Sequence, residues 1–68
     1  NDFEKNIYFI NKSNCAMVFK IFDIFGNLID KVELDGGSTI SHGGLTKGVY
    51  FIEIDHNNKI EVKKILIY

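Results

Sequence analysis

The sequence predicts an all-β fold, a small antiparallel sandwich of six to seven short strands. Three observations predict it. The apolar residues are eleven Ile, four Val, six Phe and three Tyr, against one Ala and four Leu. Such β-branched and aromatic side chains pack well on a pleated surface and lose χ1 freedom in a helix. The apolar runs are short and alternate with polar positions, the period of a half-buried strand. Clusters of Gly, Asn, Asp and Ser separate the runs at the spacing of a small sandwich.

Length and composition bound the rest. Sixty-eight residues make a single domain, 1–68. A domain this short usually needs a disulfide, a metal or a neighbour. Cys15 is the only cysteine, so no disulfide forms within the chain. One Cys and two separated His, His42 and His56, do not give zinc ligand pairs at short spacing. Yet 46% of the residues are apolar, enough for a core with some apolar surface left over. That surplus points to a domain that lives beside something else. All eight positive residues are Lys, so the chain has no bidentate reader of phosphate or guanine and no basic stripe. Nucleic acid is therefore not an expected partner. No apolar run approaches the ~20 residues that span a bilayer. The chain starts at Asn1 without a signal peptide, and it is expected to be a piece of a longer protein.

Lys5 to Ile10 is the first strand, closed by the polar turn Asn11 to Asn14. Ala16 to Ile24 is the second. With Lys20 toward water, Met17, Phe19 and Ile21 share the buried face. Val18, Ile21, Phe22, Phe25, Leu28, Ile29 and Val32 also fit a helical stripe. Gly26-Asn27 in mid-segment and the β-rich composition argue against that helix. Asp23 and Gly26 stand at the first and fourth positions of a type I turn, where Asp and Gly are favoured and positive φ is often needed at the glycine. Leu28 to Leu34 returns as the third strand. Leu34 to Ser38 is the next turn, and Ser38 to Ser41 a short edge strand.

His42 to Gly48 reads as a glycine-rich loop in which Leu45 plugs the end of the core. Gly48 lets the backbone turn or pack closely before the strand Val49 to Asp55. A β-branched residue at Gly48 is therefore expected to cost more than one at Gly44. In that strand Tyr50, Ile52 and Ile54 face inward, with Glu53 and Asp55 toward water. Asp55 to Lys59 is a tight connection rich in residues that tolerate left-handed backbone. The last strand runs from Lys59 toward Tyr68. Ile60 and Val62 share one parity, Ile65 and Ile67 the other, so a bulge near Lys63-Lys64 or a crossing between sheets is expected.

Chemistry-bearing residues are few. His42-Gly43-Gly44 is similar to the oxyanion loop of some esterases, but no G-x-S-x-G elbow accompanies it. Cys15 with either His makes no convincing nucleophile and base, and a lone Cys beside a strand is usually a packing residue. Asp23 lacks a neighbouring carboxylate for metal binding, so its turn role prevails. Asn11-Lys12-Ser13 fits the N-glycosylation sequon, a pattern frequent by chance. The Lys63-Lys64 pair is most often a solvated or edge-guarding feature. No catalytic, cofactor-binding or metal residue is expected, and no cofactor or small-molecule substrate.

Three blocks, in order and in register, resemble the type A C-terminal sorting domain of the type IX (Por) secretion system of Bacteroidetes. Val18 to Ile29 is similar to that family's apolar strand, aromatic-Asp pair, spaced glycine and apolar return. Ile40 to Ile54 resembles its Leu-x-x-Gly-Val-Tyr block, with Leu45, Gly48 and Tyr50 at the matching positions. Lys63 to Tyr68 resembles its short Lys-led terminal strand. The chain departs from the pattern at Asn27, Ser41 and His42, and it lacks the opening Pro-Asn-Pro segment, expected just upstream of Asn1.

The resemblance implies an Ig-like sandwich with a non-enzymatic role. By the same resemblance it is expected to fold in the periplasm and to be recognised by the outer-membrane translocon. A sortase-like peptidase is then expected to remove it, leaving an upstream cargo domain at the cell surface or secreted. A monomer is expected. Asp23, Gly26, Leu45, Gly48 and Tyr50 are taken as motif and turn residues. The end strand Lys64, Ile65, Leu66, Ile67 and Tyr68 is the candidate for direct recognition. The competing reading is a structural or adhesive fibronectin-like sandwich without signal function. A carbohydrate-binding module is a third, weakened by the absence of Trp and the presence of only three Tyr.

Overall fold

Alternation of side chains is cleanest in the two strands that form the middle of the larger sheet. A computed structural model of the chain describes residues 5–68. It contains β1 (Lys5–Ile10), β2 (Met17–Phe22), β3 (Leu28–Leu34), β4 (Thr39–Leu45), β5 (Gly48–His56) and β6 (Lys59–Ile67). The described residues contain no helix. Four strands form one sheet in the order β3-β2-β5-β6, and β1 pairs with β4 in a second. All pairings are antiparallel. The class is all-β and sandwich-like, as the composition predicts.

Every second residue of β2 and β5 enters the core. Phe19, Ile21, Tyr50 and Ile52 are buried there with Phe9, Leu34, Leu45 and Ile67, while Met17 and Ile54 pack against the cluster. The β1–β4 ribbon meets the larger sheet at its β2 and β3 side. The rings of Phe9 (β1) and Phe19 (β2) lie 4.7 Å apart. His42 Nε2 (β4) lies 2.7 Å from Asp30 Oδ2 (β3). β6 sits on the opposite side of the sheet, and its first six residues are all exposed.

Asn11 closes this arrangement. It is fully buried, and its Nδ2 donates to the carbonyls of Cys15 at 2.8 Å and Leu34 at 3.0 Å. Its Oδ1 accepts from the Ser13 backbone N–H at 3.0 Å and from the Ser13 hydroxyl at 2.7 Å. Each of these polar groups is thus satisfied. The amide of the sequon is enclosed and engaged in the folded domain. Gly36 packs beside this turn. A Cβ at Gly36 would stand 2.7 Å from the Asn14 carbonyl carbon, so only glycine allows the two backbones to approach.

Three expectations are corrected. β2 ends at Phe22 rather than Ile24, because Asp23 already accepts the hydrogen bonds that shape the following turn. β4 does not stop at Ser41 but runs through the supposed loop to Leu45. Pairing Lys5↔Leu45 and Ile7↔His42 places one extra residue on β4, and Gly44 at φ 79° takes up the bulge. Gly44 at φ 79° and Gly48 at φ 156° both hold backbone that L side chains rarely adopt, so a β-branched residue is strained at either position.

The third correction is in β6, where neither a bulge nor a crossing occurs. The register from His56↔Lys59 to Gly48↔Ile67 is unbroken. The change of pattern has another cause: Lys59, Glu61 and Lys63 are exposed, and only at Ile65 and Ile67 does that face of the strand meet the core. The other face carries Ile60, Val62 and Leu66 along its whole length.

Candidate functional site

The sequence-predicted residues fall into two groups, and the fold does not bring them together as a catalytic site. Asp23 and Gly26 build the β2–β3 turn. The Gly26 N–H donates to the Asp23 carbonyl at 3.1 Å, and Gly26 has φ 87°. Asp23 Oδ1 accepts from the backbone N–H groups of Phe25 and Asn27, both at 2.9 Å. Its Oδ2 accepts from Asn27 Nδ2 at 3.1 Å. These bonds, the Asn27 N–H foremost, hold the carboxyl below its ordinary pKa. The turn presents Ile24 and Phe25 to solvent.

Leu45, Gly48 and Tyr50 organise the β4–β5 connection. Leu45 is buried in the core. The Tyr50 hydroxyl donates to the Thr46 carbonyl at 2.7 Å, so a core ring also fixes the turn before its own strand. Both are placed to shape the fold.

The end strand divides by parity. Ile67 is buried and Ile65 half-buried against the core. Lys64 is exposed, as are Leu66 (49%) and Tyr68 (79%). Opposite residues in a ladder share a face, which extends the outward set across the sheet. Leu66 lies opposite Val49, and Lys64 opposite Phe51. Phe51 lies opposite Phe22 and Phe22 opposite Leu28. An apolar half-face therefore runs from the end of β6 to β3, beside the turn that displays Phe25.

Further along β6, Ile60 (65%) and Val62 (61%) continue the stripe outward. Both were missing from the sequence-based set. The signal that could have found them is the Asn57-Asn58 pair. A two-residue hairpin turn pairs residue i with i+3, so odd positions of β5 share a face with even positions of β6, and this places Ile60 and Val62 on the side of Glu53 and Asp55.

The remaining candidates carry no assembled chemistry. His42 and Asp30 link the two sheets. The bond from His42, and next the Lys31 N–H, lowers the Asp30 pKa. Cys15 is free and exposed. Among the described residues, no three His, Cys, Asp or Glu side chains gather as a metal site, and no pocket forms.

Comparison with known proteins gives one match. A family model described as "Secretion system C-terminal sorting domain" matches residues 2–68. No curated protein and no solved structure matches the chain.

Proposed function

The chain belongs to the family of Por secretion system C-terminal sorting domains, and from that premise we propose that its end strand, Lys64 to Tyr68, is the segment the secretion machinery reads. The family's role is non-catalytic. The domain directs its cargo protein across the outer membrane through the type IX system. That membership favours sorting over the adhesive-spacer reading.

The observation that supports the end strand is its division of labour. Ile65 and Ile67 are committed to the core, while Lys64, Leu66 and Tyr68 leave a charged and apolar surface free at an edge. In this reading the domain folds in the periplasm behind an upstream cargo domain. The outer-membrane translocon engages the edge, and a sortase-like peptidase then releases the cargo to the cell surface or the medium. Asp23, Gly26, Leu45, Gly48 and Tyr50 act through the fold that displays the strand.

Deleting Lys64 to Tyr68 is an ambiguous test, because it also removes core side chains worth ~1.5–3 kcal/mol each when fully buried. A polar extension after Tyr68 keeps the core and masks the end. Fused behind a periplasmic reporter in a bacterium with a type IX system, the extended domain is expected to fold and to leave the reporter in the periplasm. Undiminished export would show that the end of this strand is not read.

A further inference from the structure

We infer that the open edge of β6 is a docking ladder for an added β-strand, and that the strand it accepts alternates apolar with acidic residues. The inference rests on the sorting role above and names the kind of partner segment that the edge fits.

The backbone supplies the first argument. Among the described residues, β6 has β5 on one side and no strand on the other. Asn57 (φ 53°) and Asn58 (φ 62°) form a two-residue turn with positive φ at both positions, the type I′ geometry that closes a hairpin on its flanking pair. His56 and Lys59 are that pair. Lys59 therefore bonds toward β5, as do Glu61, Lys63, Ile65 and Ile67 by alternation. The N–H and C=O groups of Ile60, Val62, Lys64 and Leu66 point to the open edge.

The other edge of this sheet is less suited. β3 carries a register shift between its pairings Ile21↔Asp30 and Phe22↔Leu28, and a bulge turns an edge away from a partner. β6 runs nine residues without one.

Side chains select the occupant. Ile60, Val62 and Leu66 are exposed on one face, so an added strand gains apolar contacts there. The strand also carries Lys59, Lys63 and Lys64 against Glu61, three positive charges and one negative, a net +2. Glu61 already lies 3.7 Å from Lys63. Two copies of this edge would bring six lysines together against two glutamates, and edge lysines are a common device against such self-pairing. An incoming strand with acidic side chains opposite Lys59 and Lys63 meets the opposite situation. Main-chain bonds would supply affinity, and the charges would supply choice of partner.

The test uses the full chain and a capped nine-residue peptide of alternating Val and Glu. Amide exchange read residue by residue should slow at least ~10-fold at Ile60, Val62, Lys64 and Leu66 when the peptide binds, the effect of a new ladder on previously open amides. Glu61, Lys63 and Ile65 should change little. A Val-Lys peptide, and the Val-Glu peptide N-methylated along one edge, should have no effect. Val62→Pro removes only an outward N–H and should leave the fold while abolishing the protection. Ile60→Lys with Val62→Lys should weaken it without altering the backbone. Protection at β3 or β1, equal binding of the basic peptide, or concentration-dependent protection without peptide would each overturn the inference, the last by showing a second copy as occupant. So would the absence of protection at millimolar peptide. None of these outcomes bears on reporter export, which tests the sorting role separately.

Discussion

β2 and β6 have similar sequences and opposite fates. "MVFKIF" and "KIEVKKILI" both alternate imperfectly and both mix lysine with β-branched residues. β2 has a strand on each side and the β1–β4 ribbon above it, so Phe19 and Ile21 lie in the core. Among the described residues β6 has one neighbouring strand, and its first six residues are exposed. Composition alone does not distinguish them; position in the sheet and cover do. The lesson is that the covered side of the sandwich holds the fold together, while the edge strand leaves apolar side chains exposed.

The largest expected effect lies at the centre of the covered side. Ile21 is 0% exposed, and Ile21→Ala should cost about 2–5 kcal/mol, the range for deleting a buried aliphatic side chain. Val62→Ala in β6 should stay within about 0.5 kcal/mol, as for an exposed position. Urea midpoints of the two variants measure the difference. Similar losses would break the contrast between centre and edge.

Asn11→Ala comes next. It removes the group that joins the end of β1 to the Leu34 carbonyl of β3 and organises the Ser13–Cys15 turn. Leaving buried polar groups unpaired should cost about 1–3 kcal/mol. Ser13→Ala, which removes only the hydroxyl, should cost less. Equal denaturation midpoints for Asn11→Ala and the parent would show that water replaces the amide.

How far the residues alone foretold this structure depends on the side of the molecule. The ends of β1 and β3, the Asp23–Gly26 turn, and the inward set Phe19, Ile21, Tyr50 and Ile52 follow from local chemistry. Alternation and turn residues act over a few positions, and there they act together. The extension of β4 through Gly43 and Gly44 was hidden because pairing with β1, a long-range event, overrides the turn preference of glycine. Asn11 looked like an ordinary turn residue because its partners Cys15 and Leu34 are 4 and 23 residues away. In β6 the apparent change of phase reflects cover, which depends on where the β1–β4 ribbon lies. Lys64 to Tyr68 could be marked as a candidate from motif resemblance, but its split into core and exposed halves needed the sheet.

A smaller effect is expected in acid. Asp30 has its pKa lowered from 3.8 by the His42 hydrogen bond, and Asp23 by its turn amides. A carboxyl with a lowered folded-state pKa stabilises the fold fully above its unfolded value, and that contribution disappears as pH falls through the lowered one. Stability should therefore be level on this account above about pH 4 and decline below it. Asp30→Asn should flatten part of the decline and leave the exposed face of β6 unaltered. An unchanged acid limb in that variant would mean that the link between β3 and β4 contributes nothing to folding.

The division between fold and recognition within one strand is the central claim, and export of a reporter carrying Leu66→Thr and Tyr68→Ser tests it most directly. Both side chains are exposed, and threonine keeps the strand propensity of the position. The account predicts a denaturation midpoint like the parent's together with reporter retained in the periplasm. Full export of a normally folded double variant would contradict it.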